Sequence, residues 1–282
     1  MSREYIGPTE AGTITETHWT PGAERLTALG RFMTRYVFPG ATLVALVVLW
    51  EVFVRVWDIQ RFILPTPSEI WKEMTLLPVY LLKNTWVTLK ETLLGFLLSV
   101  VVGVPLAVAI AMNRFLQNTI YPLIIWFQAI PKVAIAPIFL VWMGVGIHTN
   151  VLIGFTIAFF PIVISTATGL HTAEPEMLDL VRSLSGTRFQ QFRLIRFPNA
   201  LPYIFTGLKV SVTLAVIGAV IGEFVGAEEG LGVLILQAGD QLRTAFSFAS
   251  LFILSAIAMA LFGVVALLEK LLIPWHTPED AV

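Results

Sequence analysis

Residues 179–198 read DLVRSLSGTRFQQFRLIRFP and interrupt a chain that is otherwise strongly apolar. With Met177 just upstream, Leu180, Val181 and Leu184 complete the i, i+3, i+4, i+7 spacing of one helix face. Glu176, Asp179, Arg182 and Ser183 occupy the flanks of that helix. Ser185-Gly186-Thr187 is a turn signal and a cap for a second helix, residues 188–196, with Phe189, Phe192 and Ile195 along one side. Pro198 is expected to stop it. The pattern predicts two short helices and a tight turn on a membrane surface, with polar flanks in water. Two uses fit such an element. Its arginines could rest on anionic lipid headgroups, or its amphipathic helix could seat in the groove of a partner.

The surroundings decide that a membrane is present. Of 282 residues 56% are hydrophobic and 13% charged, where soluble domains carry about 25% charged residues. A crossing helix needs about 20 mostly apolar residues. Six stretches qualify: 37–54, 92–112 (its helix beginning near Asn84), 115–147, 149–170, 197–222 and 244–268. The third is long for one helix, and Pro122, Pro131 and Pro137 are expected to kink or split it. The fold class is therefore all-α and polytopic, with about six transmembrane helices.

Lysine and arginine in the short loops set the orientation. With the N-terminus inside, the inner side receives Arg3, Arg25, Arg31, Arg35, Arg114, Arg182, Arg188, Arg193, Arg196 and Lys270. The outer side receives Arg55, Arg61, Lys72, Lys83, Lys90 and Arg243. Ten against six favours both termini in the cytoplasm, with the 179–198 stretch there as well. The expected organisation is a cytoplasmic tail (1–35), a transmembrane domain (36–275) with a cytoplasmic loop at 171–199, and a second cytoplasmic tail (276–282).

Several chemistries lack their residues. A net charge of −1 gives no electrostatic case for nucleic acid. Without cysteine there is no disulfide, thiolate metal site or Cys nucleophile. His18, His148, His171 and His276 are scattered, so no metal site is expected. No phosphate loop of the Gly-x-x-x-x-Gly-Lys-Ser/Thr type occurs, nor a His-Glu-x-x-His motif or a Ser-His-Asp hydrolase motif. Paired carboxylates within the spans are not expected, and catalysis by this chain is not expected.

The spacing of the interruption resembles the cytoplasmic signature of bacterial ABC importer permeases: Glu-Ala-Ala, three residues, Gly, nine residues, Ile-x-Leu-Pro. Asp179, Leu180 and Val181 stand at the first three positions, Ser185 at the Gly, and Ile195, Phe197 and Pro198 at the last. Identity holds at Ile195 and Pro198, and the glycine lies one place later, at Gly186. ILPTPSEIWKEM (63–74), IPKVAIAPIFLVWMGVG (130–146) and EFVGAEEGLGVLI (223–235) look like the same permease family, which serves nitrate, sulfonate, taurine and bicarbonate importers and uptake systems for thiamine pyrimidine precursors or riboflavin. The likeness covers roughly residues 37–275.

That resemblance implies a type I ABC importer-like permease fold in the bacterial inner membrane. It also implies a homodimer, cytoplasmic ATPase subunits that bind ATP and Mg, and a periplasmic or surface-tethered solute-binding protein. The 179–198 stretch would be the coupling helix, with Asp179, Leu180, Val181, Arg182, Ser185, Gly186, Thr187 and Pro198 at the ATPase contact. Ionisable groups inside spans are functional candidates. Lys132 and Glu223 are accordingly the candidate substrate-pathway residues, with Glu223, Glu228, Glu229, Asp240 and Arg243 grouped in an outer loop and Lys209 snorkelling to the inner surface. Gly207, Gly218, Gly222 and Gly226 would allow close helix approach, at a dimer axis among other places. The alternative is a secondary transporter or channel that works without an ATPase.

Overall fold

The computed structural model describes residues 37–275, and its regular elements there are all helical. Both expected tails lie outside the described residues. The chain divides into two units, residues 1–56 and 57–282. The first contains α1 (Phe38–Val56), 19 residues long and so about 28 Å at 1.5 Å per residue. Glu51 in α1 accepts a hydrogen bond of 2.8 Å from Arg55 one turn later, so the two charges travel together.

The second unit opens with α2 (Pro67–Leu76), started by a reciprocal cap. Thr66 Oγ1 accepts from the Glu69 amide at 3.3 Å, and the Glu69 carboxylate accepts from the Thr66 amide at 3.2 Å. Pro78 then begins α3 (Pro78–Met112), whose 35 residues exceed what a bilayer core needs. The sequence reading starts this helix near Asn84, six residues later. Lys83 forms an ion pair with Glu229, and Glu91 is buried, accepting a hydrogen bond from Asn150.

The proline-rich third stretch is two helices. Asn113 caps α4 (Arg114–Gln128) by accepting from the Phe115 amide at 2.9 Å. A 3₁₀ turn (Lys132–Ile135) leads into α5 (Ala136–Met143), bent from α4 by 88°. The break falls at Pro131, while Pro137 sits in the first turn of α5, where a missing N–H costs no intrahelical bond.

The remaining elements are α6 (Ile147–His171), α7 (Pro175–Ser183), α8 (Arg188–Gln191), a π-helical turn (Phe192–Arg196), α9 (Phe197–Gly226), α10 (Leu231–Asp240) and α11 (Thr244–Leu272). Among the described residues four helical runs are long and apolar enough to cross a membrane singly: α3, α6, Arg188–Gly226 and α11. The bent α4–α5 pair makes a fifth.

Pro198 does not end the second helix of the interruption, because α8 runs through the π turn into α9. The Phe197 amide reaches back five residues to the Phe192 carbonyl. This widened turn lets proline, which lacks an N–H and crowds the carbonyl four residues back, follow within one continuous helical run.

Helix α6 is the axis of the second unit and packs most extensively on α9 and α3. Small residues set the spacing. A methyl on Gly218 would stand 2.6 Å from the Gly154 Cα, and one on Gly222 would stand 2.8 Å from the Asn150 Cα. Gly207 meets Pro161 and Ser165 in the same way. The Gly207–Gly218–Gly222 face is thus consumed inside one chain, against α6, rather than at a dimer axis. Hydrogen bonds cross the same seams: Ser211 donates to the Ala158 carbonyl at 2.7 Å, and Ser99 to the Phe155 carbonyl at 3.1 Å. Phe96, Ile162, Phe205 and Val212 fill the space around them.

Candidate functional site

The turn after α7 is built residue by residue. The Gly186 amide donates to the Val181 carbonyl at 2.8 Å and the Ser185 amide to the Arg182 carbonyl at 2.9 Å. This pair of bonds closes a helix with a left-handed residue at the position between them. That residue is Ser185, with φ +60°. The position where the permease signature has glycine therefore does carry the left-handed conformation, with a serine in it. Gly186 has a different reason to be glycine. A methyl there would stand 2.7 Å from the Val181 carbonyl oxygen, inside the bond that closes the turn.

Thr187 then starts α8 with a second reciprocal cap. Its hydroxyl accepts from the Gln190 amide at 3.3 Å, and the Gln190 side chain accepts from the Thr187 amide at 2.7 Å. Asp179 and Arg182 pair with each other at 2.9 Å along the exposed flank. Met177, Leu180 and Leu184 are 48, 54 and 75% exposed, so the apolar stripe of α7 is left uncovered by the rest of the described chain. Pro198 is half-buried in the first turn of α9, away from that stripe in sequence and within the span's own helix.

At the far end of the same helices lies a buried polar knot. Residue 223 is 26 residues along α9 from its start, about 39 Å from the loop. Glu223 is 1% exposed. It accepts from the Thr88 hydroxyl at 2.6 Å and from the Gly232 amide. Thr88 also accepts from the Leu231 amide at 2.9 Å, and Asn84 from the Gly230 amide at 2.8 Å. Three side chains thus take up the free amide groups at the start of α10, where the helix dipole favours a carboxylate. The Glu91 carboxyl lies against that of Glu223 and accepts from Asn150 at 2.9 Å. Two carboxyl groups therefore do meet within the spans, contrary to the expectation from the sequence.

Glu223 is not part of a solvated outer loop either. Of the residues grouped with it, Glu229 pairs with Lys83 and Arg243 with Glu73 at 3.0 Å, while Glu228 is exposed. Lys132 and Glu223 do not meet. Lys132 sits at the 88° bend, donating to the Gln128 carbonyl at 2.8 Å with its ammonium 4.8 Å from the Phe160 ring. Lys209 does not snorkel alone. It pairs with Glu269 at 2.8 Å, joining α9 to α11 where both side chains are largely covered.

The knot was legible in one respect. Asn84, Thr88 and Glu91 are spaced i, i+4, i+7, a polar stripe on one face of an otherwise apolar helix. Their partners stand 59 to 146 residues away, beyond any local pattern.

Residues 99–275 match the family described as binding-protein-dependent transport system inner membrane component. A formylaminopyrimidine transport permease protein from Halalkalibacterium halodurans is 34% identical over 235 residues, covering 83% of this chain and 94% of the relative. A riboflavin transport system permease protein from Chloroflexus aurantiacus is 33% identical, covering 87% and 94%. Among solved structures, an inward-facing methionine ABC transporter superposes with a TM-score of 0.60 at 21% identity, covering 68% of this chain and 95% of its own, which supports the fold. The chain belongs to the inner-membrane components of binding-protein-dependent transport systems and is a permease subunit of an ABC importer.

Proposed function

We propose that two copies of this chain line a pathway through the bacterial inner membrane. In this reading both termini face the cytoplasm, and a separate ATP-binding subunit grips each 171–199 loop. ATP and Mg belong to that subunit, so the chain itself is not an enzyme. A binding protein outside delivers the solute, and closure of the two ATPase subunits rocks the spans between two exposures.

One observation carries the coupling role. The α7 turn is closed by two backbone bonds and a side-chain cap, yet it presents an uncovered stripe of Met177, Leu180 and Leu184. A rigid element with an open apolar face suits docking into a groove. Asp179 and Arg182 flank the stripe, and Val181, Ser185, Gly186 and Thr187 hold its shape. Pro198 transmits movement at the entry to α9.

The solute is a heteroaromatic vitamin or vitamin precursor, a reading supported by the relatives named for formylaminopyrimidine and riboflavin. Lys132, at the bend between α4 and α5, and Phe160 on α6 are the pathway contact, with a cation and a ring face side by side. Glu223 serves the pathway by clasping the hairpin between α9 and α10. Co-purification tests the assembly. A Walker-motif ATPase is expected to come down with the tagged chain and to be lost with Leu180→Asp; retention by that variant overturns the docking face.

A further inference from the structure

Beside the turn lies a cavity of about 1050 Å³ between the elbow that joins α3 to α4 and the α7–α8 segment. Arg114, Arg182, Arg188 and Arg196 line it together with His171, and no carboxylate is among the lining residues. Arg182 alone has a carboxylate partner, Asp179; among the described residues Arg114, Arg188 and Arg196 have none. Like charges gathered in one hollow repel unless an anion joins them.

A second feature is independent of that charge. Gln191 is 7% exposed, its side chain lines the cavity, and among the described residues its amide has no hydrogen-bond partner. The cavity wall thus offers a side-chain amide with no acceptor of its own, placed to donate to an occupant. The first turn of α4 (Asn113, Arg114) adds the positive end of a 15-residue helix.

We infer that this cavity is a binding site for a phosphate group, borne by an anionic lipid headgroup or by free phosphate. Guanidinium groups and an amide donor are the chemistry that recognises phosphate oxygens. An occupant bridging Arg114 on the elbow to Arg188 on α8 would fix the coupling loop to the end of the bundle. Arg182 and Gly186 belong both to this lining and to the ATPase-docking element, and measuring binding on the permease chain alone separates the two readings.

The test uses the full chain in phosphatidylcholine nanodiscs, with phosphatidylglycerol added, with inorganic phosphate added, or with chloride at matched ionic strength. Thermal midpoint and anion affinity are recorded. Either phosphate source is expected to raise the midpoint and chloride to leave it unchanged. A rise with phosphatidylglycerol alone identifies the lipid, and a rise with inorganic phosphate alone identifies the free ion. The double variant Arg114→Gln with Arg188→Gln should lose affinity about a hundredfold, whereas Arg193→Gln, outside the cavity, should keep it. Gln191→Glu supplies an internal counter-ion. It is expected to raise the midpoint in plain phosphatidylcholine and to abolish the anion effect, a signature that loss of packing does not produce. Equal shifts with chloride, or unchanged binding in the double variant and in Gln191→Glu, overturn the proposal.

Discussion

Ser185 holds a φ of +60°, a conformation that costs a residue with a Cβ about 1–2 kcal/mol and costs glycine little. Ser185→Gly should therefore raise the thermal midpoint of the purified protein while leaving uptake intact. Gly186, one position on, has the opposite response. Gly186→Leu drives a side chain into the Val181 carbonyl and is expected to abolish uptake while the protein still inserts in the membrane, checked by transport and by membrane-fraction blots. Normal uptake by that variant would detach the turn from the coupling role. The two carboxyl groups of the knot also separate. Glu223→Ala strands the Gly232 amide, at about 1–3 kcal/mol for a buried group left unpaired, while the Thr88 hydroxyl keeps the Asn84 carbonyl at 3.2 Å as an acceptor. Glu91→Gln keeps an acceptor for Asn150 and offers Glu223 a donor, so its midpoint should stay at or above that of the parent. If Glu91→Gln unfolds as easily as Glu223→Ala, the pairing is wrong.

Among the elements, the apolar stretches and the break at Pro131 were readable from the sequence because each rests on a local rule: hydropathy over about 20 residues, and a proline without an N–H. The loop was readable for the same reason, since Thr187 caps Gln190 three residues away. Its continuation past Pro198 was not, because a π turn that accommodates proline has no composition of its own. The early start of α3 was hidden too: Lys83, just before the expected start near Asn84, finds its partner on Glu229, far along the chain. The glycines of α9 were correctly seen as close-approach positions, but only the fold shows that α6 is what approaches. Gly218→Leu should push α6 and α9 apart and lower the yield of monodisperse protein. Gly263→Ala on α11, where a methyl meets nothing within 4 Å, should leave it unchanged. Size-exclusion profiles of the two variants decide this.

For the whole molecule, orientation is set by loop arginines and lysines, and the absence of cysteine makes it directly measurable. Arg193→Cys is expected to react with an impermeant maleimide only from the cytoplasmic side, and Glu228→Cys only from outside. The loop and the knot sit at opposite ends of α6 and α9, so under the proposed coupling role a push on α7 would reach the α10 hairpin through two stiff helices locked at glycine contacts. Such a lever needs an external motor. Solute flux into proteoliposomes tests that most directly. Flux is expected when the permease is reconstituted with its ATPase, binding protein and ATP, and none when the permease stands alone; undiminished flux from the permease alone would rule out the external motor.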